Sequence, residues 1–446
     1  MNREKEYIDF YRNFSKSIKE NSAECLNLFR DSAFETFEKR GFPTKNEEAY
    51  LYSNLSDTLD IEYGLNINRL KFLIDKNALF HCKIPTINST LAFMVNDNFY
   101  LPENQKNTLP KGVVFCSISQ AETLYPEVVK KYFGKQSSKS DDKFVSFNSV
   151  FVQNGYFLYI QQNTKLEQPL QLINLLRSAS PLMTFSHNLI VIESDTEAKM
   201  LICNHTADDV DFFANRLTEI FVEDNAKLEY YTLENSNLHT NNFSQIFLNQ
   251  KDSSKVVINN LGLASNKIRN SIETDIDGSY ADLLLRGIFI GSGKQETDNH
   301  TVIRHNQPHS TSNELFKYIL GEQSHGVFSG RIIVNQAAQK TESHQTNKNI
   351  CLTPEASMQS RPQLEIYADD VKCGHGATTG QIDNEALFYL QARGIDQKTA
   401  RQMLLTAFVS DVLACVRLDV LRERLTLMVE KRLKGDNVHC NDCFIC

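Results

Sequence analysis

The chain has 446 residues, a net charge of −8 at pH 7 and 41% hydrophobic residues. That length exceeds what one compact core usually holds, so two or three structural units are expected. The excess of acid over base argues against a nucleic-acid partner, which would need a basic face.

The N-terminus, MNREKEYIDFYRNF, carries charge from its first residues and has no apolar h-region, so a secretory leader is not expected. Tyr7, Phe10, Tyr11, Phe14 and Ile18 form one helical stripe. Leu26, Phe29 and Phe37 form a second, which stops at Gly41 with Pro43 just beyond. The turn GFPTKNEEAYLYSNL follows, and helical periodicity fades after it. Residues 1–75 are therefore expected to form an N-terminal helical domain, and residues 76–144 a transition segment. The run from Gln136 to Lys143 reads as the nearest thing to a flexible loop.

From about residue 145 the texture changes to short alternating runs such as FLYIQ, LTEIFVED and SKVVINNL, which read as strands. A polar turn, a lysine and an apolar run recur, placing Lys199, Lys227 and Lys255 28 residues apart. Asp282 falls almost in step, and Lys340 lies near the same phase. A fixed period with weak identity is the mark of a solenoid, and strands without intervening helices make it a β-helix, here over 145–381. A large β-sandwich is the alternative.

After Gly380 the strands stop. Asp396 suits the N-cap of a helix whose apolar line is Leu404, Phe408, Val412 and Val416. Leu421, Leu425 and Met428 make a second line, followed by Lys431, Arg432 and Lys434. Two such helices, over 382–434, have little core of their own; they either pack back on the body or offer a face to a partner. The best candidate membrane span, MLLTAFVSDVLACV, is broken by Ser410 and Asp411 and falls short of the ~18 apolar residues required. A soluble, cytoplasmic protein with reduced thiols is expected, the ten cysteines being mostly isolated.

Two cysteine motifs carry possible chemistry. In VKCGHGATTG, an extended chain would set Cys373 and His375 on one face and leave the other to Gly374 and Gly376. Glycines in a strand often mark a place where another backbone comes close, and a terminal strand offers an edge for pairing. Thiolate and imidazole both bind iron and zinc, but a buried cysteine beside a hydrogen-bonded histidine would give the same spacing. The tail at 435–446 holds Cys440, Cys443 and Cys446 in two C-x2-C steps, suited either to one thiophilic metal or to a frayed end. His305 and His309 have zinc-helix spacing, but Pro308 argues against a helix, so His300, His305, His309 and His325 read as strand and turn residues. Neither a phosphate-binding G-x-x-x-x-G-K-[ST] loop nor a G-x-S-x-G elbow is present.

The stretch RPQLEIYADDVKCGHGATTGQIDNEALFYLQARGI resembles the most characteristic block of the SufB/SufD family of iron–sulfur cluster assembly proteins. GFPTKNEEAYLYSNL resembles its N-terminal signature, with Ala49 where tryptophan is usual, and HNQPHSTSNELFKYIL and GVFSGRIIV resemble its central blocks. Gly376 replaces the glutamate of the B type, and SHQTNKNI lacks that type's cysteine, so the resemblance is to the D type. It implies a right-handed parallel β-helix between helical domains, pairing with a SufB-like paralogue through the terminal strands, and a SufC-like ATPase docked on the C-terminal helices. By the same resemblance, His375 and the adjacent Cys373 face nascent-cluster assembly and iron acquisition. The chain would hold no stable cofactor alone and only transient iron or cluster in the complex. It would be no enzyme itself, and would form a homodimer when alone if at all. A β-helix carbohydrate-active enzyme and a Cys/His thiol enzyme are the competing readings.

Overall fold

The computed structural model describes residues 3–53, 55–70 and 89–435. Helices α1 (Arg3–Glu20) and α2 (Glu24–Arg40) lead the chain, and α3 (Lys143–Phe151) follows later. Tyr7, Tyr11 and Ile18 of the expected stripe on α1 are buried, whereas Phe10 is half-buried and Phe14 exposed, and α2 ends where the Gly41 N–H bonds the Phe37 carbonyl at a φ of 60°. The Arg30 guanidinium, fully buried, donates to the Val150 and Val152 carbonyls at 2.6 and 2.7 Å and so ties α2 to the end of α3.

Strands run in chain order as β1 (Gly64–Leu65), β2 (Thr90–Val95), β3 (Asn98–Tyr100), β4 (Val113–Ser117), β5 (Tyr156–Ile160), β6 (Leu170–Leu176), β7 (Leu182–Ile192) and β8 (Glu197–Thr206). Next come β9 (Phe212–Val222), β10 (Lys227–Asn235), β11 (Thr240–Gln250), β12 (Lys255–Ala264), β13 (Lys267–Ile276) and β14 (Asp282–Gly291). The last are β15 (Glu296–His305), β16 (Thr311–Leu320), β17 (His325–Val334), β18 (Glu342–Cys351), β19 (Ser357–Ile366) and β20 (Lys372–Gly380). From β6 onward the described chain alternates between two sheets, odd strands pairing only with odd and even only with even. The protein is a mainly β solenoid of about 8 turns, with helical regions before and after it. Strands begin earlier than residue 145: β2 already stacks in parallel on β6, and α3 occupies the point where the strand texture was placed.

Inward-facing Ile202, Tyr230, Ile258 and Leu285 of the even sheet meet Ile220, Ile246, Ile272 and Ile303 of the odd sheet to fill the interior. The odd-to-even corners from β7 to β18 each carry one residue at positive φ: Asp195, Asn225, Ser253, Tyr280, His309 and Lys340. These corners stack through backbone bonds, such as Asn225 N–H to the Asp252 carbonyl at 2.8 Å and His309 N–H to the Gln339 carbonyl at 2.9 Å. The corner, rather than the lysine, is the repeating element. Lys227 does stack on Lys255, and Lys255 on Asp282. Lys199, however, stacks on Glu229 and not on Lys227, while Lys340 lies in a corner. The spacing varies because the loops at the corners differ in length.

The outer face of the odd sheet is covered by α1–α3, with Phe185, Phe213 and Phe243 packed beneath Phe144 and Phe147. The loop before α3 is not loose. Glu219, fully buried on β9, accepts the backbone N–H groups of Gly134, Gln136 and Ser137 at 2.6–2.9 Å and pairs with His187. The turn after α2 is fastened at a second point. Arg269 on β13 pairs with Asp298 and Ser53, donates to the Ala49 carbonyl at 2.9 Å and lies 3.8 Å from the centre of the Tyr50 ring.

The other helical layer, α4 (Asn384–Ala392), α5 (Gln397–Ala414) and α6 (Asp419–Lys434), follows the last strand. Asp396 caps α5 by accepting the Thr399 N–H at 3.0 Å. Its buried line is Leu405, Val409, Val412 and Val416, which with Leu421 and Leu425 of α6 covers the outer face of the even sheet. No helix among the described residues is long and apolar enough to cross a membrane.

His305 lies in an inward column between Ile276 and Val334 that also contains Gln250, its ring nitrogens 2.7 and 2.9 Å from the Ser310 and Ser312 hydroxyls. Burial lowers its pKa to about 4. Above the ordinary value of about 6.5 both folded and unfolded imidazoles are neutral. As pH falls from there through 4 only the unfolded chain gains the proton, so this contribution to stability is lost on the acid side. Gln250 reaches the Ser254 hydroxyl at 3.3 Å from the equivalent position, so His305→Gln is expected to fold. In urea melts, its stability relative to wild type should improve by about 2 kcal/mol between pH 7.5 and pH 5.

Candidate functional site

The solenoid ends on a strand with one free edge. Among the described residues β20 pairs only with β18, and β19 only with β17. Register places Cys373 on Ser343 and His375 on Gln345, both of which are buried in the interior. Cys373 and His375 therefore belong to the inward face of the last rung, at the open mouth of the solenoid. Cys373 is half-buried against the interior core, whereas His375 is exposed. Among the described residues the imidazole makes no hydrogen bond. The sequence expectation that the two share a face is met by the strand; among the described residues no further strand covers that face.

Gly374 and Gly376 lie on the opposite side of β20. Neither has a positive φ. A Cβ at Gly374 would come no closer than 3.6 Å to the His344 ring, and one at Gly376 would meet nothing within 4 Å. Neither the backbone conformation nor the packing of this chain calls for glycine at either position. Gly330 on β17 shows the contrast, because a Cβ there would lie 2.1 Å from Gln345 Nε2.

Burial pushes the Cys373 thiol up, with a backbone hydrogen bond at Ser343 opposing it in part. A nucleophilic cysteine is activated by the reverse shift. One rung below, Gln345 Nε2 donates to Glu314 Oε2 at 2.6 Å, and both residues are buried. Alternate residues of SHQTNKNI and STSNELF carry this polar floor, but only the strand register puts them under His375.

The C-terminal apolar line lies elsewhere than expected for a docking face. Val412 is in the core and its carbonyl accepts from Asn259 at 3.2 Å. Phe408 is half-buried, with Lys317 Nζ 2.5 Å from its carbonyl and 4.8 Å from its ring centre; Leu404 is likewise half-buried. Val412 and Phe408 seat α5 on the sheet, because the apolar outer face of the even strands supplies the core that two isolated helices would lack. What remains open is a groove of ≈ 410 Å³ between α5 and α6, lined by Thr406, Ser410, Ala414, Arg422, Thr426 and Leu427 among others. Cys440, Cys443 and Cys446 lie outside the described residues. His300, His305, His309 and His325 occur in strands or at a corner, and no group of three or more metal-binding side chains forms among the described residues.

The family model for the core domain of SufBD proteins of the SUF iron–sulfur cluster assembly system matches residues 175–408, and that for the SufBD N-terminal region matches residues 1–172. The chain belongs to the SufBD family. Among its SufBD relatives, the iron–sulfur cluster assembly protein SufD of Escherichia coli is 28% identical over 89% of this chain and 90% of its own. A SufBD family protein of Synechocystis is 26% identical over 87% of each chain, and SufD of Bacillus subtilis is 26% identical over 73% of this chain and 75% of its own. The SufBD core match runs from the end of β6 into α5, so it spans the solenoid from β7 onward, the open rung and the first part of α5.

Two glycine replacements separate internal from external demands on the last turns. Gly376→Ala should leave the thermal stability of the isolated chain within about 0.5 kcal/mol of wild type. Gly330→Ala should cost about 2 kcal/mol by displacing Gln345. A large loss at Gly376 would show that this chain itself needs the glycine.

Proposed function

We propose that this chain is the SufD-type, non-catalytic subunit of a cytoplasmic iron–sulfur cluster assembly scaffold. It pairs with a SufB-like paralogue through β19 and β20, and a SufC-like ATPase docks on its C-terminal helices. The observation that carries this reading is the last rung. An unpaired edge bearing two glycines that the chain itself does not require sits beside a thiol and an imidazole, in a chain matched by SufBD family models over residues 1–172 and 175–408. Glycines without an internal purpose suit a second backbone that comes close. Parallel or antiparallel addition to the free edge would satisfy its N–H and C=O groups and cover the mouth.

Cys373 and His375 would then face the paralogue across a shared, water-poor space. Thiolate and imidazole are suitable donors for iron as it passes into a nascent cluster, and release is easier from two ligands than from four. The cluster is cargo, held in transit and not as a resident cofactor of this chain. When the paralogue is missing, the same edge is open to a second copy of the chain.

The heterodimer is tested by two substitutions in co-expressed subunits. His375→Ala should leave the complex assembled on gel filtration but lower the iron and sulfide recovered after anaerobic purification about tenfold. Gly376→Val should weaken the heterodimer itself, because a β-branched side chain fills the close-approach face. Wild-type cluster yield from His375→Ala would remove His375 from the function.

The ATPase dock is proposed at the α5–α6 groove. Leu427 lines it and is 40% exposed, so its loss costs the chain little core. Leu427→Asp should reduce capture of the SufC-like ATPase by about tenfold or more with the melting curve nearly unchanged. Phe408→Asp, by contrast, should lower the stability of the chain, since Phe408 helps seat α5. Full ATPase binding by Leu427→Asp would place the dock elsewhere.

A further inference from the structure

Glu314 is a carboxyl group sealed in the interior of the solenoid, directly behind the assembly mouth. On the even sheet its column runs Leu285, Glu314, Gln345, His375, one residue per rung. Gln345 crosses the interior to touch β17 at Gly330, where only glycine leaves room for its amide. Its amide nitrogen is spent on Glu314 Oε2. The remaining oxygens, Glu314 Oε1 and Gln345 Oε1, are buried and have no hydrogen-bond partner among the described residues. Thr301 faces the same carboxyl from β15 without reaching hydrogen-bond geometry. Two buried oxygens left without a partner, among interior polar groups such as Asn299, Ser312 and Ser343 that do find one, are costly and call for a reason beyond packing.

We infer that Glu314, held in place by Gln345, is a positioning residue of the assembly site that takes up the proton released when sulfur binds iron at the mouth beside His375. This rests on the scaffold function proposed above. The chemistry that needs it is general. When a thiol or hydrogen sulfide binds ferrous iron, the S–H bond breaks, the sulfur keeps the electron pair and a proton departs; no electron is transferred. The Glu314 carboxylate accepts that proton to become the acid and later returns it to solvent. One water hydrogen-bonded to both Glu314 Oε1 and Gln345 Oε1 would carry the proton from the mouth to the carboxylate, with the Gln345 amide only holding that water and the carboxylate in place, since a buried water commonly joins such unpartnered groups.

The electrostatics agree with this use. Burial raises the Glu314 pKa to about 7, against the smaller opposing pulls of Thr301, Gln345 and Arg286. Arg286 of β14, on the outward face of the same sheet, is the cation whose charge pulls on it; Tyr318 on its own strand is a buried phenol held well above its ordinary pKa. His305 of β15 is engaged by Ser310 and Ser312. A carboxyl that changes protonation near neutral pH exchanges a proton at little cost, unlike one at an ordinary carboxylate value.

The test uses the complete complex with the SufB- and SufC-like subunits, supplied with ferrous iron and sulfide. Glu314→Gln keeps shape and removes the titration. It should slow cluster formation about tenfold at pH 7, less than the hundredfold typical of a directly acting group, and flatten the change of rate with pH around 7. Gln345→Met, which breaks the link without touching the carboxyl, should slow it as well, and keeps the test in force if Glu314→Gln folds poorly. In the chain alone, the infrared difference between wild type and Glu314→Gln should show one protonated carboxyl band at pH 6 that disappears by pH 8.5. Wild-type rates and pH profile in both variants, with His375→Ala still impaired, would overturn this inference alone. Unimpaired clusters in His375→Ala as well would overturn the scaffold reading with it. An infrared difference lacking the carboxyl band would overturn the inference whatever the complex does.

Discussion

Everything in this molecule depends on the parallel, in-register stacking of alternate strands. Because a strand shows opposite faces at successive residues, each rung must offer an apolar inner face to fill the interior and an outer face to whatever covers the sheet. The stack also hands each strand's free edge to the next one. Handing on ends at β19 and β20, where the last edge is left open and the last inward residues have no rung above them. The candidate site is thus a direct consequence of where the coil stops.

The two helical layers answer the same constraint on the outside. Six-membered rings dominate under α1–α3, with Phe213 and Phe243 meeting Phe144. Buried charge fixes the pieces that apolar contact alone would leave free to slide: Arg30 on the carbonyls at the end of α3, Glu219 on the Gly134–Ser137 backbone, and Arg269 between Asp298 and the Ala49–Ser53 turn. Removing one partner from such an arrangement leaves a charge without compensation, which costs about 3–5 kcal/mol, so each sets position more firmly than a packing contact would. The turn held by Arg269 also reaches β19, where Glu48 Oε1 is 2.9 Å from Arg361. The N-terminal region therefore bears on the same end of the solenoid as the open rung.

The C-terminal layer shows why an apolar stripe is ambiguous in a sequence. Leu404, Phe408 and Val412 repeat every four residues and would suit either a partner or the body of the protein. The decision lies in residues far away, Leu233, Leu261 and Ile288 on the outer face of the even strands, which need cover of their own. A face that has already found its complement inside the chain is no longer a docking surface. The groove between α5 and α6 remains because its lining alternates apolar groups with Arg422 and Glu423 and needs no such cover.

Local pattern by itself determined the helical ends, the Asp396 cap, the strand texture, the repeating coil and the shared face of Cys373 and His375, since each follows from periodicities of 2 or 3.6 residues. The family resemblance rested on contiguous blocks and was equally legible. The exact phase of the repeat was not, because the positive-φ corner accepts Asp, Asn, Ser, Tyr, His or Lys and leaves no fixed letter. Nor could the sequence tell that Glu314, Gln345 and His375 stand in one column, about thirty residues apart along the chain and one rung apart in space. Tertiary structure alone decided that column, the use of the α5 stripe as core and the idleness of Gly374 and Gly376 within the chain. The reason is physical: inter-rung register is set by the sum of many loop lengths and side-chain contacts, and no short window of residues contains that sum.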